Sequence, residues 1–173
     1  MVDVQTVGVL ITAASVTVAA IYYMFTLRIN QRNIKTTLET RQAQLFMGIY
    51  DKFSSKEFSD DMNKLIFNEP PRYASYEEFQ EKYGYEKNPQ YYSSLVRMAM
   101  LLEGIGVLVK RGLVNVEFVD DLMSVVVTRF WELTRSAWAE YRVREGDQAM
   151  WEYVEYLYNE VKPIYQRQWQ VSP

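Results

Sequence analysis

The first 27 residues are almost uniformly apolar, and this is the strongest pattern in the chain. No charged side chain occurs between residues 4 and 27. As an α-helix, the segment 7–27 is about 31 Å long, close to the ~30 Å thickness of a bilayer's hydrocarbon core. A soluble helix of this length is seldom apolar on every face. The pattern therefore predicts a transmembrane anchor over residues 1–27.

A cleaved signal peptide is the alternative to this anchor. The small residues of Val18-Ala19-Ala20 are typical of a cleavage site. However, the residues that precede the apolar stretch contain Asp3 rather than basic side chains, and the apolar run continues past that site to Leu27. Both observations favour an uncleaved anchor.

Past residue 27, apolar residues recur at the three- and four-residue spacing of a helix. Those that follow the anchor are Ile34, Leu38, Leu45, Ile49 and Phe53. No glycine or proline separates them from the apolar stretch before residue 48. The spacing predicts that the membrane helix continues as a juxtamembrane amphipathic stalk over residues 28–53.

Five further helices are predicted within residues 54–173, each between turn signals. The first follows the caps Ser54-Ser55, the second runs from Ser75 to Gly84, and the third runs from Pro89 to Gly112. The fourth covers residues 116–143. The last begins near Trp151, with Asp147 as a candidate N-cap, and ends before Pro163. No strand-like alternation occurs, so the predicted fold class is all-α: a single N-terminal transmembrane helix that continues into a helical bundle.

Composition limits the chemistry that the chain can perform. The sequence contains no cysteine and no histidine, which excludes disulfides, thiolate metal sites and serine–histidine triads. Carboxylates such as Glu103, Glu152 and Glu155 remain, but structural or solvated roles are favoured for them. We therefore expect no catalytic residues, no metal site and no cofactor, and a protein that is not an enzyme.

Charge is distributed unevenly along the chain. Residues 1–41 contain four basic and two acidic side chains, a net charge of +2. Because the whole chain has a net charge of −3, residues 42–173 carry −5. An acidic domain argues against nucleic acid as a partner.

The basic residues that follow the apolar stretch are Arg28, Arg32, Lys35 and Arg41. By the positive-inside rule they predict a single-pass protein of the cell membrane, with the N-terminus outside and the C-terminal domain cytoplasmic. They also present positive charge to anionic lipid headgroups, although setting the topology is an equally good explanation for them.

Two sets of residues are candidate interfaces. A stripe of small residues along the membrane helix predicts close helix–helix contact, and it consists of Gly8, Thr12, Ser15 and Ala19. An aromatic and arginine-rich docking surface is the second, because such residues dominate binding hot spots; it consists of Arg135, Trp138, Arg142 and Trp169. The alternatives are an ordinary membrane helix for the first set and a core stripe with ion pairs for the second.

Several segments resemble an uncharacterised family of small prokaryotic proteins. They are residues 102–108, 110–114, 119–122 and 152–157, together with Trp131 and Arg142. The resemblance implies one N-terminal transmembrane helix, an all-helical cytoplasmic domain and a bacterial or archaeal membrane, and it implies no activity. Within these segments, Gly104 and Gly106 suit a close approach of another helix, and Gly112 suits a left-handed residue at a helix end.

No reaction or substrate follows from the sequence. The expected function is that of a non-enzymatic, membrane-anchored accessory or scaffolding subunit of a membrane assembly. The alternatives are a membrane-tethered sensor or effector that self-oligomerises, and a carboxylate-based membrane enzyme. The expected partners are membrane lipids and other membrane-protein subunits or a second copy of the chain, with no nucleic acid.

Overall fold

Helices are the only regular elements in the described part of the chain. The computed structural model describes the backbone of residues 3–170 and the side chains of residues 3–167. The helices are α1 (Val4–Phe53), α2 (Lys56–Met62), α3 (Tyr76–Tyr83), α4 (Pro89–Lys110), α5 (Val116–Glu145) and α6 (Glu152–Gln170), with a π-helical segment, Asn63–Asn68, directly after α2. The predicted all-α fold class, with an apolar N-terminal helix that leads into a helical region, is confirmed.

The contacts divide the chain into two compact units, Met1–Arg41 and Gln42–Pro173. In the first unit, the described residues from Val4 onward are helical and none of their side chains is buried. In the second unit, the last turns of α1 contribute Phe46 and Phe53 to a hydrophobic core. The stalk predicted over 28–53 therefore divides, with residues 42–53 belonging to the bundle.

The core of the bundle lies where α6 packs against both α4 and α5. Each of these helices presents a stripe of fully buried apolar residues at the helical spacing of three or four. They include Leu95, Met98 and Leu102 on α4, Val119, Met123, Val127 and Phe130 on α5, and Val154, Leu157 and Val161 on α6. Burial of these stripes supplies the hydrophobic free energy that holds the three helices together.

Helices α4 and α6 approach each other closely at Gly106. A Cβ atom built at Gly106 would overlap the carbonyl group of Tyr153, so only a glycine allows the two helices to pack this closely. A Cβ atom at Gly104 meets nothing within 4 Å. The predicted close approach is confirmed for Gly106 and wrong for Gly104, because position 104 is exposed.

The first turn of α6 is held by side chains from other helices. The Val154 N–H donates to Oε2 of Glu103 at 2.8 Å, so α4 caps α6. Burial raises the pKa of Glu103, and the backbone bonds from Val154 and Tyr153 offset only part of this increase. From α5, Arg142 donates to the Met150 carbonyl at 2.8 Å. The corner between α5 and α6 is thus fixed by long-range polar contacts.

Two predicted helix boundaries are wrong. Oδ1 of Asp147 accepts from the Ala149 N–H at 3.1 Å, and α6 begins five residues later at Glu152, so Asp147 is not its N-cap. Pro163 lies inside α6 rather than after it. The proline is exposed, and it removes only one backbone donor from the helix. The buried side chains of Leu157 and Val161 keep α6 packed in the core just before this position.

The predicted left-handed residue at Gly112 is confirmed. Gly112 has a φ of 67° and follows the last residues of α4. The Leu113 N–H donates back to the Leu108 carbonyl at 2.9 Å, which closes the helix end. The side chain of Gln42 on α1 also donates to the Gly112 carbonyl at 2.9 Å. This bond joins the turn after α4 to the part of α1 that belongs to the second unit.

Candidate functional site

The apolar part of α1 has no protein packed against it. An 18-residue window of this helix is apolar enough to cross a membrane, and none of that window is buried. Large apolar side chains are exposed along this helix; Val9, for example, is 68% exposed and Leu10 is 62% exposed. Helix α4 also meets the length and composition of a membrane span, but 39% of its window is buried, and its apolar face forms the core of the bundle.

Hydroxyl groups in the apolar segment bond to their own helix. Thr12 donates to the Gly8 carbonyl at 2.9 Å, and Ser15 donates to the Ile11 carbonyl at 2.8 Å. These bonds satisfy the hydroxyls within one helix, as a hydrocarbon surrounding requires. A Cβ atom at Gly8 meets nothing within 4 Å, so the predicted stripe of Gly8, Thr12, Ser15 and Ala19 lies open along α1.

The four basic residues that follow the apolar segment all lie on the exposed surface of α1. They are Arg28, Arg32, Lys35 and Arg41. Lys35 pairs with Glu39 at 3.8 Å, with both side chains largely exposed, and such a surface pair adds little stability. The cluster is therefore solvated positive charge, free to meet a charged surface.

Of the predicted docking residues whose side chains are described, only Arg135 lies fully on the surface. Arg135 is exposed, but Trp138 is 2% exposed and packs edge-on to Phe79 and Trp151 in the core. Burial therefore removes Trp138 from any surface that a partner contacts. The Arg142 side chain is 15% exposed and pairs with Glu155 at 2.6 Å, which gives it a structural role at the α6 corner. The side chain of Trp169 lies outside the described residues.

An ion pair between a buried carboxylate and a largely exposed arginine lines one cleft of the bundle. Asp61, which is 7% exposed, accepts from Arg97 Nε at 2.8 Å and Nη2 at 3.0 Å, and from the Ser94 hydroxyl at 2.6 Å. Burial raises the pKa of Asp61, but the hydrogen bonds from Arg97 and Ser94 outweigh it and hold the pKa below its ordinary value. The cleft has a volume of about 520 Å³ and also contains Lys64 and Asp60, so both signs of charge line it.

A second cleft combines aromatic and acidic side chains. We call it the tyrosine–glutamate cleft. It has a volume of about 390 Å³ and is lined by Tyr76, Tyr85, Tyr92, Tyr141, Glu81, Glu86 and Glu145, with Gln80 and Lys87. Burial raises the pKa values of Tyr76 and Tyr92, so both phenols are neutral at physiological pH. Neutral phenols and carboxylates are groups that attract cations.

No group of His, Cys, Asp or Glu in the described residues is arranged to hold a metal ion. The carboxylates considered from the sequence are separated in function: Glu103 caps α6, Glu155 pairs with Arg142, and Glu152 is exposed in the first turn of α6. The charges of Glu152 and Arg142 both act on the pKa of Glu103, so the three carboxylates lie near one another at the start of α6, where Glu103 and Glu155 have structural partners.

Comparison with protein families identifies the chain at the level of its domain. The profile of the Domain of unknown function (DUF4760) matches residues 9–161. The chain belongs to this family. The DUF4760 match begins within the apolar part of α1 and ends within α6, so one family domain includes the apolar helix and the bundle. No curated protein and no solved structure gives a match. The resemblance to an uncharacterised family is confirmed to this extent.

Neither cleft of the DUF4760 bundle was predictable from the sequence. Asp61 and Arg97 lie on different helices, 36 residues apart, and nothing local indicates that they pair. The tyrosines of the second cleft come from α3, α4, α5 and the α3–α4 loop. The one available signal was the abundance of tyrosine, 14 residues, in a chain without histidine or cysteine.

Proposed function

We propose that this chain is a non-enzymatic, membrane-anchored helical module that acts as an accessory or scaffolding subunit of a membrane assembly. The observation that carries the proposal is the unpacked apolar segment of α1, where none of the apolar window is buried. In water, such a surface is costly at ~25 cal/mol per Å² of apolar area. A bilayer covers it along the whole segment.

Three further features support an uncleaved anchor. The hydroxyls of Thr12, Ser15 and Thr17 are satisfied within the helix. The basic cluster from Arg28 to Arg41 follows the apolar segment and is solvated. The family match includes both the apolar segment and the bundle, which favours an anchor over a leader that is removed. The positive-inside rule then gives an outside N-terminus and a cytoplasmic bundle. We also propose that this membrane is the cell membrane of a prokaryote, as the resemblance to a family of small prokaryotic proteins implies.

An arginine in the middle of the anchor tests insertion. Ala14→Arg is expected to cost at least ~2.5 kcal/mol of insertion free energy, because a charged side chain must enter the hydrocarbon core. The wild-type protein should resist extraction by alkaline carbonate, and the variant should appear in the soluble fraction. The matched control is Gln44→Arg, at an exposed position of α1 in the second unit, which should fractionate as the wild type does.

The same membranes test the orientation. A protease site added after Pro173 should be cut in opened vesicles and protected in intact cells. Cutting from outside intact cells contradicts the proposed topology, and an Ala14→Arg variant that still resists carbonate contradicts the anchor itself.

Association in mild detergent tests the accessory role. The tagged protein is expected to co-purify with unrelated membrane subunits in a fixed ratio, which mass spectrometry and a native size measurement will identify. A complex that contains only copies of this chain contradicts the accessory role and supports the self-oligomerising alternative. In that case, Gly8→Leu with Ser15→Leu locates the contact, because both replacements fill the small-residue stripe.

A further inference from the structure

The tyrosine–glutamate cleft draws its lining from several elements that only the folded bundle brings together. Tyr76 and Glu81 come from α3, Tyr92 comes from α4, and Tyr141 and Glu145 come from α5. Its volume of about 390 Å³ lies within the ~300–1,000 Å³ that small-molecule sites occupy. The cleft is thus large enough for a small organic ligand.

The charge of the lining is negative. Three carboxylates, from Glu81, Glu86 and Glu145, face one ammonium, from Lys87. Within the described residues, no salt bridge involves any of these three carboxylates. The negative charge of Glu145 is close enough to raise the pKa of Tyr76 beyond the effect of burial. A cation that enters the cleft therefore meets three carboxylates that form no internal salt bridge, and of these the charge of Glu81 also acts on the neighbouring Lys82.

The aromatic rings stand close to one another. Tyr85 and Tyr92 meet edge to face with their centroids 6.0 Å apart. Burial is the main cause of the raised pKa of Tyr92, and the neighbouring phenols of Tyr141 and Tyr76 add to it. The four tyrosines thus line one cleft with their rings and phenol groups, and the Tyr76 phenol oxygen already accepts a hydrogen bond from Nε2 of Gln80 at 2.8 Å.

The chain already uses one of these rings to hold a cation. The guanidinium of Arg144 lies 4.6 Å from the centroid of the Tyr76 ring. Arg144 lines a neighbouring cleft that shares Tyr76, and it is not part of the tyrosine–glutamate cleft. The Tyr76 ring therefore binds a cation from one cleft while it forms a wall of the other.

We propose that the tyrosine–glutamate cleft binds a small alkylammonium ion. Ring faces and carboxylates attract a cation with no need for hydrogen-bond donors, which is how aromatic cages hold quaternary ammonium groups. The cleft around Asp61 does not suit this ligand, because Arg97 and Lys64 place two cations in its lining. The negative lining distinguishes the tyrosine–glutamate cleft.

Titration with tetramethylammonium tests the site. The full chain is held in maltoside micelles, whose headgroups carry no ammonium, and binding is followed by calorimetry and by the N-methyl proton signal. Saturable binding is expected for tetramethylammonium and not for tert-butanol, a neutral molecule of similar shape. Because rings and carboxylates both contribute, Tyr92→Leu and Glu145→Gln should each weaken binding by about 5-fold or more.

Two further charge variants separate an effect of the cleft from an effect of the protein's overall charge. Lys87→Gln removes the one positive charge of the lining and should tighten binding by about 2-fold. Glu160→Gln makes the same charge change as Glu145→Gln on an exposed part of α6 outside the cleft, and should leave binding unchanged. Glu145 and Lys87 are exposed, so their variants keep the test valid if Tyr92→Leu fails to fold. Absence of saturable binding, equal binding of tert-butanol, or equal effects of Glu145→Gln and Glu160→Gln each overturn the proposal.

Discussion

Replacing Gly106 with valine is expected to lower the free energy of unfolding of the bundle by about 3–4 kcal/mol. The added Cβ would overlap the carbonyl group of Tyr153, which belongs to the first turn of α6. A backbone carbonyl cannot rotate away as a flexible side chain does, so α6 must move off α4. That movement also loosens the buried contacts of Val154 and Leu157.

Tryptophan fluorescence during urea denaturation measures this loss. All four tryptophans lie after residue 130, so their emission reports on the bundle rather than on the apolar part of α1. Gly104→Ala is the matched control, in the same helix and two residues earlier. A Cβ there meets nothing within 4 Å, and alanine favours a helix over glycine by ~0.5–1 kcal/mol, so the control should equal or exceed the wild type. Unchanged stability of Gly106→Val would contradict the close approach of α4 and α6.

Replacing Arg97 with methionine is expected to cost about 3 kcal/mol at pH 7, because it leaves a buried carboxylate without its cation. Asp61 is 7% exposed and would keep only the hydroxyl bond from Ser94 at 2.6 Å. The Arg97 side chain is itself 58% exposed. Methionine can therefore replace its aliphatic part, and the substitution buries no new polar group. Urea denaturation at pH 7, followed by the same fluorescence, measures the effect.

The dependence on pH separates this electrostatic effect from a loss of packing. In the wild type the pKa of Asp61 lies below its ordinary value, so its contribution to stability is present at neutral pH and is lost as the pH falls through that lower pKa. In Arg97→Met, burial still raises the pKa of the carboxyl, and only the Ser94 bond and the charge of Lys64 remain to lower it, so the pKa of Asp61 is higher than in the wild type. The variant should therefore lie furthest below the wild type at pH 7 and approach it in acid. Asp61→Asn combined with Arg97→Met should lose less than Arg97→Met alone. An equal loss at pH 7 and in acid would show that packing, not charge, dominates.

Local patterns in the sequence were sufficient to predict the helices. The apolar period of three and four identified the stripe of Leu95, Met98 and Leu102 on α4, and the turn at Gly112 followed from the need for a positive φ. The same spacing carried α1 to Phe53, where the structure ends it. These features depend on neighbours within one or two turns, which is the range over which a sequence pattern is informative.

Features that depend on distant residues could not be predicted. Asp147 has the side chain of an N-cap, but α6 takes its cap from Glu103, 51 residues away from Val154. Pro163 has the form of a helix terminator, but packing along α6 overrides its local preference. A tryptophan such as Trp138 is as typical of a docking surface as of a core. Its contacts with Phe79 on α3 and with Trp151, just before α6, place it in the core. The two clefts are formed by long-range contacts of the same kind.

The cap that Glu103 provides has a consequence for the order in which the bundle folds. Because the first turn of α6 is closed by a residue of α4, an isolated segment that contains α6 lacks the partner that makes helix nucleation favourable. During synthesis, α4 and α5 leave the ribosome first, with the apolar faces that α6 covers still open to water. The native bundle therefore forms only when the last helix has emerged. Until then, the stripes of α4 and α5 that α6 buries form an apolar surface through which the nascent chain is prone to aggregate.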